Sequence, residues 1–146
     1  DGDGELVAVE PVRDHVVGEV LQRRIGRLLP LQAWWVGDTA AAQTPQQMAD
    51  RPLIAAAGIG HPDRFFDMLE QLGLRFQRLP LADHAAMDPR PWPADAACVI
   101  VTEKDAVKLS PSAPDASRIV VATLDLDLPP AVMHALRRWL AVAPQA

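Results

Sequence analysis

Residues 53–83, LIAAAGIGHPDRFFDMLEQLGLRFQRLPLAD, constrain this chain more than any other stretch. Leu53–Ala57 is a short apolar run followed at once by Gly58, which reads as a buried strand of a parallel sheet. Pro62 suits the first helical position, where its missing N–H costs nothing, and Asp63 favours the positive end of the helix dipole. Phe65, Phe66, Leu69 and Leu72 make an inward stripe, and Gly73 stops the helix. Residues 74–79 then alternate apolar and basic, as an outer strand would. This is the grammar of a β-α-β unit, whose chemistry sits past the carboxyl ends of its strands.

The rest of the chain extends that unit. Residues 85–97 carry Pro89, Pro91 and Pro93 and read as a loop. Cys98–Val101 and Arg118–Thr123 read as two further strands, residues 124–130 as a connector, and residues 131–142 as a closing helix with Val132, Met133, Leu136 and Leu140 inward. The expected fold is α/β: a mainly parallel four-stranded sheet with flanking helices, three-layered and Rossmann-like, over residues 53–146. Residues 1–52 read as an amino-terminal arm and inter-domain linker. Within it, residues 14–29 suggest an amphipathic helix, with Val16, Val17, Val20, Leu21, Ile25 and Leu28 on one face and Arg23, Arg24 and Arg27 on another. A two-stranded ribbon around residues 34–46 would suit a linker. The pair Trp34-Trp35 after a basic helix suits a membrane surface; packing against the domain is the favoured reading.

Composition excludes some function classes. The chain is 49% apolar, enough for a core, and its net charge of -5 argues against general nucleic-acid binding. A single cysteine, Cys98, excludes an internal disulfide framework and suits a reducing compartment. The chain opens DGDG, without methionine, and is expected to be the back part of a longer protein.

Parallel strands joined by helices put their carboxyl ends on one edge of the sheet. The first strand therefore delivers Gly58–Pro62 to that rim, the second Asp83-His84, and the third Thr102–Asp105. Free N–H groups at Gly58-Ile59-Gly60-His61 could hold an anion, but neither a dinucleotide fingerprint nor a P-loop is present, and a tight turn before a capped helix is the plainer reading. His84 is the best proton-transfer candidate, because imidazole titrates near neutrality. Asp83 need not be its partner, since adjacent residues usually point apart. Thr102 and Asp105 fit a capping box, while Glu103, Lys104 and Asp105 could also meet an anion or a basic partner. No Cys/His spacing suggests zinc, and no nucleophile elbow occurs.

Taken together, AAAGIGHPDRFFDMLEQLGL, LADH and VIVTEKDAVKL, in that order and spacing, resemble the carboxyl-terminal half of the tetraacyldisaccharide 4'-kinases, the lipid A 4'-kinases of Gram-negative bacteria. RRIGRLLPLQAWWVGDTA resembles the segment before it, so the likeness spans residues 24–142. The resemblance implies transfer of the γ-phosphate of ATP to the 4'-hydroxyl of a lipid disaccharide 1-phosphate, with Mg²⁺, at the cytoplasmic face of the inner membrane. It implies a partner: an amino-terminal domain that carries the P-loop, the magnesium carboxylates and a catalytic aspartate, and that holds most of the ATP and Mg²⁺ contacts. By the same resemblance His84 pairs with that aspartate, Asp83 supports it, and Gly58, Gly60, His61, Glu103, Lys104 and Asp105 face the cleft. No metal ligand is implied here, and no kinase activity is expected of this chain alone. Two other readings remain: a freestanding Rossmann-like module binding an anionic small molecule at Gly58–Pro62, and a non-catalytic interaction domain that kept the fold.

Overall fold

The computed structural model describes residues 22–127 and 130–142. Ile25–Leu124 form one compact unit; the described residues outside it belong to a second. The elements are β1 (Gln22–Pro30), α1 (Leu31–Val36), α2 (Pro45–Met48), β2 (Leu53–Ala57), α3 (Pro62–Gln71), β3 (Gln77–Pro80), β4 (Cys98–Thr102), α4 (Glu103–Ala106), β5 (Ile119–Asp127) and α5 (Pro130–Val142). The five strands form one mostly parallel sheet in the order β1-β5-β4-β2-β3.

The central strands are buried on both faces, and their side chains alternate between two cores. Ala55 and Ala57 of β2, Cys98 and Ile100 of β4, and Val120 and Ala122 of β5 pack on one side with Phe65, Phe66 and Leu69 of α3. Ala56, Val99, Val101, Ile119 and Val121 pack on the other with Leu31, Met87, Trp92, Ala106 and Leu109. The alanines of β2 let α3 approach closely. Burying Phe65, Phe66 and Leu69 stabilises the unit by about 1.5–3 kcal/mol each. Gly73, at φ 86°, ends α3 in the left-handed region that a side chain would disfavour. On the edge strand β3, Arg78 lies over the Phe66 ring, 5.4 Å from its centroid, and pairs with Asp67 and Glu70 of α3.

Register fixes the rim. β2 pairs in parallel with β3 (Ala57 opposite Pro80) and with β4 (Ala56 opposite Val101), and β4 pairs in parallel with β5 (Thr102 opposite Ala122). The carboxyl ends of all four strands therefore share one edge.

Several expectations are corrected. The sheet has five strands, because residues 22–30 form β1 rather than the end of a helix over 14–29. Helical spacing of Ile25 and Leu28 gives way to pairing along β5, where Arg27 donates its backbone N–H to Thr123 Oγ1 at 2.8 Å and Ile25, Leu28 and Leu29 are buried. Residues 14–21 lie outside the described residues. The expected ribbon at 34–46 is replaced by α1, a 3₁₀ turn at Thr39–Ala41 and α2; an antiparallel bridge ties Gln43 instead to Leu28 of β1. β5 runs on through Leu124 to Asp127, where a connector was expected. The stripe expected on the closing helix is not buried: α5 carries no buried side chain.

Candidate functional site

Three motifs meet on the carboxyl rim. The turn after β2 is drawn to the end of β4 by one carboxylate. Asp105, fully buried in the first turn of α4, accepts the Gly58 N–H at Oδ2 (2.8 Å) and the Thr102 hydroxyl at the same oxygen (3.0 Å). Thr102 caps α4 by accepting the Asp105 N–H at Oγ1 (3.2 Å). The capping half of the expectation stands, but the carboxylate reaches across to the neighbouring strand. Asp105 Oδ1 has no hydrogen-bond partner among the described residues; Lys108 Nζ lies 4.0 Å away. A Cβ on Gly58 would sit 3.1 Å from Asp105 Oδ1 and 3.2 Å from the Ala82 carbonyl oxygen, so close approach favours glycine there and a side chain would have to push these neighbours by a few tenths of an ångström. A Cβ on Gly60 would meet nothing within 4 Å.

The loop after β3 closes on the same edge. Leu81 donates its N–H to Ala57 O at 2.9 Å, continuing the strand pairing past β3. Asp83 accepts Lys104 Nζ at 2.9 Å, while His84 Nε2 stands 3.8 Å from the other Asp83 oxygen. Asp83 therefore has Lys104, rather than its neighbour, as its close partner. The Lys104 hydrogen bond, with a smaller contribution from His84, holds the Asp83 carboxyl below its ordinary pKa. His84 has a left-handed backbone, φ 62°, and its side chain is 77% exposed. His61, at the N-cap of α3, makes no cap bond through its side chain and is exposed.

Glu103 faces inward along the rim. It accepts the Trp34 indole N–H at Oε2 (3.0 Å) and the Leu124 N–H at Oε1 (3.2 Å). Trp35 donates its own indole N–H to Leu109 O at 3.0 Å. Both tryptophans are thereby tied to the unit, as the packed reading expected. The expected site residues thus sort into two groups. Gly58, Glu103 and Asp105 are engaged within the unit, whereas Gly60, His61, Asp83, His84 and Lys104 lie open on its rim. Lys108 escaped the sequence reading: its Nζ donates to the Ala85 carbonyl oxygen at 2.9 Å. Its spacing from Lys104, one helical turn, was the signal available.

An exposed imidazole beside a lysine-bound carboxylate can exchange a proton with a group presented from outside. Among the described residues no three His, Cys, Asp or Glu side chains gather as a metal ion would require. No helix among them is long and apolar enough to cross a membrane.

Comparison with known proteins places the chain in a family. The family model for tetraacyldisaccharide-1-P 4'-kinase matches residues 16–141. The tetraacyldisaccharide 4'-kinase of Leptothrix cholodnii is 47% identical over 116 residues, covering 77% of this chain and 33% of that protein. That of Methylibium petroleiphilum is 44% identical over 128 residues, covering 85% and 36%. The chain spans about a third of the length of these curated relatives. A crystal structure of LpxK from Aquifex aeolicus, an "apo" form in complex with ATP, shares the fold, with a TM-score of 0.58 and 18% identity over 83% of this chain and 34% of that one. With a match across most of its length, the chain belongs to the tetraacyldisaccharide-1-P 4'-kinase family.

Proposed function

We propose that this chain is the carboxyl-terminal domain of a kinase that moves the γ-phosphate of ATP to the 4'-hydroxyl of tetraacyldisaccharide 1-phosphate, in lipid A synthesis at the cytoplasmic face of the inner membrane. The supporting observation is the position of His84: on the shared rim of four parallel strands, outside the hydrophobic cores, with its imidazole exposed. ATP and Mg²⁺ belong to a nucleotide-binding domain joined to this one, since no P-loop occurs in this sequence.

In this reading the sugar hydroxyl oxygen bonds to the γ-phosphorus as the bond to the bridging oxygen breaks and ADP leaves. The hydroxyl proton passes to an aspartate of the other domain, and His84 hydrogen-bonds that aspartate and tunes it. Positioning and charge neutralisation supply most of such a reaction's acceleration, so a lobe that closes over the acceptor can matter without holding the nucleotide. The test joins this chain behind the nucleotide-binding domain of the Leptothrix cholodnii relative, replacing that protein's matching segment, and follows phosphate transfer to the lipid acceptor. The joined protein should turn over and the chain alone should not. His84→Ala should lower turnover by about a hundredfold, within the range general acid–base groups contribute, without changing the melting of this unit. Undiminished turnover in H84A would sink the proposal.

A further inference from the structure

His84 is held from both sides. The residue before it, Asp83, is bound by Lys104; the carbonyl of the residue after it, Ala85, is bound by Lys108. The two lysines are one helical turn apart and reach the same loop. Between the two anchors His84 takes φ 62°, a region sparsely populated by residues other than glycine. The loop is further closed by the Ala85 N–H donating to Ala82 O at 2.9 Å. The base of the clamp is rigid: Thr102 and Asp105 are buried beneath it and bonded to each other and to Gly58. Lys104 and Lys108 therefore project from the same support that fixes the glycine turn.

We infer that Lys104 and Lys108 are positioning residues, a two-point clamp that keeps His84 in its left-handed backbone with its imidazole exposed on the rim. The inference rests on the proposed role of His84 and adds what aims it. The Lys104 pair fixes Asp83 and the Ala85 N–H bond to Ala82 O closes the turn, and holding the Ala85 carbonyl on the far side limits the freedom that remains to His84. Misplacement of a reacting group by about 1 Å can cost on the order of a hundredfold in rate, so the clamp should be read in kcat rather than in substrate binding.

Two measurements test it. Hydrogen exchange on the 146-residue chain reads the loop without reference to catalysis. Lys104→Met with Lys108→Met should speed exchange of the Ala85 amide by about tenfold or more, because local opening sets that rate. Lys104→Arg with Lys108→Arg should restore it. In the enzyme joined to its nucleotide-binding domain, assayed well below its melting temperature, the double methionine variant should lower kcat between about tenfold and a hundredfold with KM for ATP unchanged, and the double arginine variant should recover most of kcat. An Ala85 amide that exchanges at the wild-type rate in the methionine variant would overturn the clamp. So would unchanged kcat in that variant when H84A is inactive. Full activity of H84A would instead remove the catalytic reading of His84, and the exchange rates would still decide whether the clamp exists.

Discussion

Truncating Asp105 to alanine should weaken the Ile25–Leu124 unit by about 3 kcal/mol, and the figure follows from what the carboxylate does. Its Oδ2 takes the Gly58 N–H and the Thr102 hydroxyl, both buried. An orphaned buried donor costs about 1–3 kcal/mol, so two give about 2–6. Against this, alanine removes a buried carboxylate whose other oxygen has no hydrogen-bond partner, and that relief lowers the total toward the middle of the range. Asp105→Asn separates shape from charge. Its amide oxygen can accept both bonds in the same place, so it should cost less, about 1–2 kcal/mol, the difference between charge-assisted and neutral hydrogen bonds. Urea unfolding of the chain, followed by fluorescence of Trp34, Trp35 and Trp92 in a Trp139→Phe background, measures both; Trp139 lies outside the unit in question. A loss below about 1 kcal/mol in D105A, or an asparagine variant as unstable as the alanine one, would refute the reasoning, because the carboxylate would then not be what joins β2 to β4.

Two further predictions follow from the rim and the opposite end of the sheet. Gly58→Ala should destabilise by about 1–3 kcal/mol, because its Cβ would press on Asp105 and on the Ala82 carbonyl, whereas Gly60→Ala should stay within about 0.5 kcal/mol; thermal melting that ranks them the other way would be decisive against the close-approach argument. Arg90 holds Asp115 with two hydrogen bonds, 2.8 and 3.0 Å, and the bonded guanidinium keeps the Asp115 carboxyl below its ordinary pKa. As pH falls below about 4 the unfolded chain takes up this proton before the folded one does, so the stability the pair supplies is present above that pH and lost below it. The urea midpoint should therefore drop further between pH 5 and pH 3 in the wild type than in Arg90→Met, and equal drops would show that the pair contributes nothing to acid sensitivity.

The β-α-β unit was legible because its signals are local. Apolar runs, Pro62 at the first turn of α3 and Gly73 after it mark boundaries that depend on the backbone alone. The three rim motifs were legible for the same reason, since parallel strands leave little choice about which edge their carboxyl ends share. Residues 22–30 misled because Ile25 and Leu28 satisfy a helical stripe as well as a strand, and only the open edge of β5 chooses between them. Leu124-Asp125-Leu126-Asp127 alternates as a strand should, yet its acidic residues suggested a connector.

What the sequence determined by itself is the β-α-β unit, the strands that follow it and the identity of the residues brought to the rim. Tertiary structure alone decided their division of labour: Asp105 turned inward to Gly58, 47 positions earlier, Glu103 bonded to Trp34, and Lys104 and Lys108 gripped the loop on either side of His84. Hydrogen bonds between residues so far apart depend on strand register and burial, which no short window of sequence contains.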